Sequence, residues 1–588
     1  MFGIPWHRLP TPLALLKLSE FRKNLRQHNL HDTSQFKDKG KLPVPQPTPD
    51  GRHLVARTVD GSYNDLDHPE MGMVGTRFGR NMPLPDVSPN EKKLLEPNPR
   101  KVSRVLMTRD EFIPATTLNL LAAAWIQFQN HDWFSHGDNQ PHKKFDLPLE
   151  GDDPWPQENR PLEIKKTLVD ESRPEGDKSG PPTFINKVTH WWDGSQIYGS
   201  HQETHDKLRS HVDGKLLIGD DGLLPVDPTI GIDLTGFNDN WWVGLSLLHT
   251  LFVKEHNTLC DHLKQRYPDW KDQDLFDHAR LINAALMAKI HTVEWTPGIL
   301  GHPALQIGMS ANWWGMLGQH VKRLWGRVSD DETISGIVGS PTDHHTAPYY
   351  LTEEFTSVYR LHPLIPDEFD VYSVKNGQSI LKTDFFKISG NRTRKLVEEV
   401  GLADLFYSFG ITHPGAITLH NYPRFLQQLV RDNGETFDLA AVDVLRDRER
   451  GVPRYNRFRE LIGRGKVTSF DEITSNKKWA KELREVYNND INSVDLVIGM
   501  FAEDVPEGFG FSDTAFRVFI LMASRRLKSD RFFTKDYRAE IYTQFGLDWI
   551  DNNSMLDVLR RHYPSLAPTL FGVQNAFAPW RPVGVSGY

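Results

Sequence analysis

The chain has 588 residues, with 69 basic and 77 acidic side chains and a formal charge of −8. That balance gives no electrostatic footing for nucleic-acid binding, and 38% hydrophobic with 25% charged residues is the composition of an ordinary soluble globular protein. A single cysteine, Cys260, excludes an intramolecular disulfide, a cysteine-ligated zinc and an iron–sulfur cluster, and it favours a reducing compartment.

Met1–Leu15 lacks a basic segment followed by an apolar run and a small-residue cleavage site. No stretch reaches the roughly 18 apolar residues of a membrane span; the best, Phe516–Ala523, is short and broken by Arg517. A cytoplasmic protein is expected, with Leu13–Leu18 as a segment able to touch a membrane surface. From about Asp32 to Arg100, Pro and Gly recur (Lys41–Pro49, Asn81–Pro89, Glu96–Pro99), which reads as an extended arm. Ala115–His131 has helical apolar spacing with Pro114 near its start. Ser135 to Val188 is irregular. Helical patterns then cover Trp241–Arg266, Leu275–His291, Thr352–Leu361, Asp438–Arg448, Lys477–Val486, Thr514–Leu527 and Met555–His562. Strand-like alternation is rare and no fixed-period repeat is present. The expectation is mainly α: one large helical domain over 101–588, an N-terminal arm over 1–100, and little β.

The common nucleotide and hydrolase signatures are missing. There is no phosphate-binding G-x-x-x-x-G-K-[ST], no G-x-S-x-G elbow and no H-E-x-x-H. Gly508-Phe-Gly510 lacks a third glycine, and Asp343-His344-His345 reads as a polar turn or part of a metal site. Histidine (25) and tryptophan (16) are plentiful, which suits a large planar ligand or a generic aromatic core.

Four segments carry candidate chemistry. Gln127 and His131 lie one helical turn apart, so an amide and an imidazole share a face that can hydrogen-bond a small ligand on a metal; a His131-Asp132 pair at a helix end near solvent fits equally. In Thr189-His-Trp191-Trp-Asp193-Gly-Ser195, alternate residues supply hydroxyl, carbonyl and carboxylate oxygens, which suits Ca²⁺ with its six to eight oxygens, or a plain Asp-Gly turn. Tyr359 and His362 are i and i+3, so they share a helix face in a helical reading. The run Trp242–Asn257 and the later Ala288–Thr296 place His249, His256, His291 and Thr296 on helices that line a polar pocket or pack as core.

Together these segments resemble the animal-type haem peroxidase and cyclooxygenase superfamily, closest to its fatty-acid α-dioxygenase branch. The resemblance runs from about Trp6 to the C-terminal helices. It rests on Trp125-Ile-Gln-Phe with His131-Asp-Trp133, Trp192-Asp-Gly-Ser, Lys254-Glu-His-Asn, Lys289-Ile-His-Thr with Trp295-Thr296, and Ser357-Val-Tyr-Arg with His362. Further support comes from Arg446-Asp-Arg-Glu-Arg-Gly-Val-Pro-Arg-Tyr-Asn456 and Ala523-Ser-Arg-Arg-Leu with Asp530-Arg-Phe-Phe533.

The resemblance implies haem b and Ca²⁺ as cofactors. It implies His362 as proximal iron ligand, His131 on the distal side with Gln127, and Tyr359 as the radical tyrosine. Asp132, Thr189, Trp191 (by its carbonyl), Asp193 and Ser195 match the calcium loop. His291, Thr296 and one of Arg525 and Arg526, with Arg526 preferred, match the groups that hold a substrate carboxylate. The implied reaction uses a peroxide as activator. A tyrosyl radical takes hydrogen from C2 of a long-chain free fatty acid, and O₂ adds to give an (R)-2-hydroperoxy acid, which can decarboxylate to an aldehyde one carbon shorter. The chain departs from the wider superfamily where its peroxidases carry a distal arginine: Asn238 stands there, which implies weak peroxidase turnover. The alternatives are a peroxidase or mid-chain oxygenase of the same superfamily, and a haem- or lipid-binding protein without turnover. Oligomeric state, chain-length preference and downstream steps are not legible.

Overall fold

The computed structural model describes residues 4–33, 43–84, 90–173, 182–431 and 434–584. The expected arm segments around 34–42 and 85–89 therefore lie outside the described residues. Helix dominates. The sheet among the described residues is three two-stranded antiparallel ladders: β1 (Lys144–Leu147) with β2 (Leu162–Lys165), β3 (Glu368–Tyr372) with β4 (Ser379–Asp384), and β5 (Leu429–Val430) with β6 (Thr436–Phe437). The mainly α expectation with little β holds.

The first helix is one the periodicity left undrawn. Residues Thr11–His28 form α1, with Pro12 in the first turn, where its missing N–H costs nothing. Ala14, Leu18 and Leu25 face inward, and of the Leu13–Leu18 segment Leu16 points out at 67% exposure. Trp6, just before it, is buried and donates from Nε1 to Asp513 at 2.9 Å. The same core cluster takes Trp6, Ala14, Met71 and Phe78 together with residues as distant as Trp580. Residues before 100 are thus packed into the helical body as well as laid over it.

The body is built round α2 (Leu120–Trp133) and α3 (Val243–Arg266). Helix α2 is apolar nearly all round and almost wholly buried, as a central helix must be. Helix α3 packs against it, and Gly244 permits the approach: a Cβ there would stand 2.9 Å from Ala124 Cβ and 2.5 Å from the Trp242 ring. Next, α4 (Asp272–Ile290) runs beside α3 and passes through a π-helical turn, His291–Trp295, into a further helical turn, Thr296–Ile299. Two outer helices follow, α5 (Pro303–Trp314) and α6 (Gly318–Trp325). Then come α7 (Glu353–Val358), α8 (Leu439–Glu449) and α9 (Asp513–Ser529). Helices α7, α8 and α9 start on side-chain caps, Thr352, Asp438 and Ser512, each accepting from the amide three residues on.

One expected helix is shorter than its pattern. The stretch Thr352–Leu361 is helical only to Val358. Tyr359 closes the helix, Leu361 leaves helical geometry, and His362–Leu364 is a separate 3₁₀ turn. Tyr359 and His362 therefore do not share one helix face. Pro363 contributes, because it has no amide N–H to donate back to the Tyr359 carbonyl, so the helix cannot wind on through it.

Candidate active site

His362 sits at the start of its 3₁₀ turn with its ring pinned from one side. Its Nδ1 is 2.7 Å from Asp443 Oδ2, on α8, and the Tyr422 hydroxyl donates to the same oxygen at 2.8 Å. Arg360 pairs with Asp443 Oδ1 at 2.8 Å. Asp443 is buried, yet the charges of His362 and Arg360 hold its carboxyl below the usual range. A carboxylate on Nδ1 fixes the tautomer and leaves Nε2 as the free donor atom, the arrangement expected of an imidazole that ligates a metal. The side chain is 35% exposed although its neighbours are buried, so it opens onto a gap and not onto packed core. These residues fit an axial ligand for haem iron.

His131 lies near the end of α2 and is buried with no hydrogen-bond partner at Nδ1. Burial alone pushes its pKa down to about 3, so the ring is neutral at neutral pH. Phe237 packs edge-on against it at 4.7 Å. Asn238 follows, its amide turned to the Asp233 carbonyl at 3.3 Å. Gln127 is oriented by two contacts: Trp242 Nε1 donates to its Oε1 at 2.7 Å, and its Nε2 donates to the Asn240 carbonyl at 3.3 Å. One amide hydrogen is left for a ligand. His249 completes this wall; its Nδ1 meets the Thr235 hydroxyl at 2.7 Å and its Nε2 is buried without a partner.

The second focus is Arg526 on α9. Its guanidinium is 1% exposed, and Nε, Nη1 and Nη2 all lack hydrogen-bond partners. The group is held by rings, 3.8 Å from the Trp133 centroid, 4.1 Å from Trp192 and 5.0 Å from Phe355. Burial lowers its pKa and the nearby phenols and Asp132 raise it. A buried cation with no anion is expensive, and cation–π contacts offset only part of that cost. The arrangement asks for an anion. Arg525 is used differently: its Nη2 donates to the carbonyls of His344, Ala347 and Pro348, so it ties chain to chain.

The two expected partners of Arg526 lie at the start of the π turn and just past its end. His291 Nδ1 accepts from Trp125 Nε1 at 3.2 Å, so the proton of the neutral ring is on Nε2, which is buried and unpartnered. Burial and the charge of Arg526 keep this ring neutral. His291 stacks on Trp295 and meets Trp133 and Trp192 edge-on at 5.2 and 5.3 Å, so it lines the same pocket as Arg526. Thr296 is buried, but its hydroxyl donates to the His291 carbonyl at 2.8 Å. Its lone pairs remain available, its proton only after rotation. Tyr359 faces this pocket: its ring is 5.3 Å from Trp133 and 4.6 Å from Phe355, and its hydroxyl is buried without a partner. Burial raises the phenol pKa and Arg526 opposes the rise.

The oxygen-rich loop folds back on α2. Gly194, at φ +78°, makes the turn; a Cβ there would meet Tyr198 at 2.9 Å. The Ser195 amide donates to Asp132 Oδ1 at 2.5 Å and to Asp193 Oδ1 at 3.1 Å, and the Ser195 hydroxyl reaches Asp132 Oδ1 at 3.0 Å. Both carboxylates are buried, and desolvation raises both pKa values. Arg280 lies 3.3 Å from Asp193 Oδ2, whereas Asp132 Oδ2 and the Thr189 hydroxyl have no hydrogen-bond partner. Two adjacent buried carboxylates with unused hard-oxygen lone pairs fit a divalent cation. Trp191 donates its Nε1 to the Gly61 carbonyl, which leaves its own carbonyl in the loop.

Sequence reasoning did not foresee Asp443, Tyr422 or the aromatic cage of Trp133, Trp192 and Phe355. Trp133 and Trp192 stood within quoted motifs, but nothing in a linear spacing says that two indoles 59 positions apart will close on one guanidinium. Asp343-His344-His345 proves to be a polar turn, with His344 on Asp65 at 2.8 Å and His345 on Asp343 at 3.0 Å.

Residues 56–575 match the animal haem peroxidase family. Alpha-dioxygenase PIOX of Oryza sativa subsp. japonica is 38% identical over 98% of this chain and 93% of its own. The crystal structure of fatty acid alpha-dioxygenase from Arabidopsis thaliana superposes with a TM-score of 0.90 at 36% identity, covering 100% of this chain and 92% of that one. A tyrosine-to-phenylalanine variant of the Oryza sativa enzyme, solved with palmitic acid, superposes with a TM-score of 0.89 at 36% identity over 99% and 95% of the two chains. With near-complete coverage on both sides, this chain belongs to the animal haem peroxidase family and, within it, to the fatty-acid alpha-dioxygenases, haem-dependent oxidoreductases.

Proposed function

We propose that the chain oxygenates a long-chain free fatty acid at C2 with the residues described above. The observation that carries this is Arg526: a fully buried guanidinium without an anion, in a pocket that Tyr359 also faces. A fatty-acid carboxylate meets that need, with Arg526 supplying a bidentate donor pair and His291 Nε2 a third hydrogen. Thr296 follows the same π turn and limits how the carboxylate sits. Clamping the carboxylate brings C2, and no mid-chain carbon, to the phenol. The relative solved with palmitic acid supports this ligand class for the pocket.

His362 would hold haem b through Nε2, with Asp443 raising its basicity. When bound, the haem supplies the oxidising equivalent that takes one electron, together with the phenol proton, from Tyr359. His131, with a ring nitrogen free of any protein partner, relays the proton of an activating peroxide, and Gln127 presents its spare amide hydrogen on the same side. The Tyr359 radical takes a hydrogen atom from C2. O₂ adds to the carbon radical, and the peroxyl radical takes the hydrogen atom back from Tyr359, giving the (R)-2-hydroperoxy acid and restoring the radical. Loss of CO₂ and water from that product yields the shorter aldehyde. Ca²⁺ would sit between Asp132, Asp193, the Thr189 and Ser195 oxygens and the Trp191 carbonyl. There it would neutralise two carboxylates and fix the end of α2 that carries His131.

Residues 1–100 are read as an arm that completes the 101–588 domain. A cytoplasmic location with peripheral membrane contact is part of this proposal. Among the described residues no helix is long and apolar enough to cross a membrane. The test is oxygen uptake by haem-loaded protein given a long-chain free acid, followed by product mass. A 2-hydroperoxide or the one-carbon-shorter aldehyde is expected. Oxygen placed elsewhere on the chain, or no uptake with an intact Soret band, overturns the proposal.

A further inference from the structure

Tyr359 sits beside a group able to take its radical away. Among the described residues three rings pack on the phenol: Phe355 with its centroid at 4.6 Å, Trp133 at 5.3 Å and Phe519 at 6.1 Å. The two phenylalanines are far harder to oxidise than a phenol, so they do not compete. An indole does compete, because its radical and a phenoxyl radical are close in oxidising strength, and the surroundings decide which ring keeps the unpaired electron. Trp133 also opens a way onward, since Trp192 meets it edge-on at 5.6 Å.

Exchange between the two rings has a fixed balance. The Tyr359 oxygen takes one electron and one proton and becomes a phenol again. The indole gives up the electron and, to end neutral, its Nε1 proton. Both halves are obstructed. The Arg526 guanidinium lies 3.8 Å from the Trp133 centroid and 4.1 Å from that of Trp192. It keeps its charge, attracts the electron-rich face of a neutral indole and repels an indole that has become a cation. All three side chains are buried, so little solvent screens that repulsion. The proton is held back as well. Trp133 Nε1 is buried without a hydrogen-bond partner, and so is the Tyr359 hydroxyl, so neither serves the other. Trp192 Nε1 donates to the Gln129 amide oxygen at 2.7 Å, which is too weak a base to take a proton.

We propose that Arg526 and the isolated Nε1 of Trp133 confine the radical to Tyr359. Arg526 is then a positioning residue for the unpaired electron, and Trp133 is the oxidisable neighbour that it keeps reduced. This rests on the reading of Tyr359 as the radical tyrosine. It goes beyond the carboxylate clamp, because it acts on the waiting enzyme, when the guanidinium has no anion. Once a fatty acid is in place, the radical has its own target at C2.

The test is the radical formed when the haem-loaded full chain meets hydrogen peroxide without fatty acid, frozen and read by electron paramagnetic resonance. Protein grown with ring-deuterated tyrosine or ring-deuterated tryptophan shows which residue type carries the spin. The parent signal should narrow with deuterated tyrosine alone. In Arg526→Met most of the signal should narrow with deuterated tryptophan instead, and adding Trp133→Phe to that variant should return it to tyrosine. Arg526→Lys keeps a cation and should keep the signal on tyrosine, which lost packing alone does not predict. A signal that stays on tyrosine in Arg526→Met overturns the proposal, as does a tryptophan signal that survives Trp133→Phe. The parent gives a check that needs no variant to fold: peptide mass spectrometry after peroxide treatment should find Trp133 free of added oxygen, and an oxidised Trp133 there overturns the proposal. A tyrosine signal that persists in Tyr359→Phe is a different failure, since it removes the radical assignment itself and this inference with it.

Discussion

Replacing Arg526 with methionine should move binding and stability in different ways, and the size of each effect follows from the pocket. Methionine keeps an unbranched apolar chain between Trp133 and Trp192 while removing the charge. Three guanidinium nitrogens are buried without partners in the substrate-free protein, and each such group costs about 1–3 kcal/mol. The ring contacts at 3.8 and 4.1 Å return about 2 kcal/mol each when desolvated. The balance lies between about 1 kcal/mol against the variant and about 5 kcal/mol in its favour. For a chain of this length that is a Tm change of about 4 °C or less. With substrate the sign is clear. A carboxylate that loses its buried charged partner loses about 2–5 kcal/mol, a fall in kcat/KM of about 30-fold to 5,000-fold, carried mainly by KM. Oxygen uptake against fatty-acid concentration, with a thermal melt on the same sample, reads both quantities. A melt lowered by tens of degrees with KM unchanged would refute the clamp and make Arg526 a structural residue; the same KM effect from Arg525→Met instead would refute the choice between the pair.

Further outcomes follow from the same geometry. Tyr359→Phe removes a hydroxyl that has no hydrogen-bond partner, so it should keep haem and fold while losing oxygen uptake; retained uptake removes the tyrosine from the chemistry. Asp443→Ala frees His362 Nδ1 and should weaken haem binding by about 10- to 100-fold in a Soret titration, and an unchanged titration rules out its orienting role. Chelation of calcium should lower the Tm, with recovery on adding Ca²⁺ back; Asp132→Asn should abolish the response. Acid should destabilise the fold through buried neutral histidines such as His256, whose pKa burial depresses to about 3. Because the folded value lies below the unfolded value near 6.5, its contribution is complete above pH 6.5 and is lost as pH falls. Between pH 7 and 5 that is about 2 kcal/mol for this residue. Urea midpoints that do not change over that interval contradict it.

The long helices were legible because their apolar spacing survives in the sequence; Trp241–Arg266 and Lys477–Val486 differ from the observed elements by two residues or none. Helix α1 was not, because its leucines crowd at 13, 15, 16 and 18 without a clean face, and only packing decides that Ala14, Leu18 and Leu25 turn inward. Spacing alone puts Tyr359 and His362 on one face, but the chain leaves helical geometry at Leu361, and Pro363 has no N–H to rejoin the ladder. At the site, single motifs stayed ambiguous until a resemblance joined them. What no spacing could supply was the tertiary closure: Asp443 reaches back 81 positions to His362, and two indoles close on Arg526. The choice between neighbouring arginines is likewise a matter of helix rotation. A step of about 100° sends one side chain to backbone carbonyls and the other into the pocket.

The π turn at His291–Trp295 puts a constraint on length as distinct from chemistry. It is an α-helix carrying one surplus residue, and the Thr296 hydroxyl reaching the His291 carbonyl is the mark of that wider turn. Deleting any single residue from 292 to 295 would remove that surplus and close the turn to regular α winding, so the residues after it would keep their place while those within it, the His291 and Trp295 rings among them, would point elsewhere. Residue count in this stretch therefore sets where the His291 ring points, and a one-codon deletion here should raise the KM for fatty acid while leaving the fold intact.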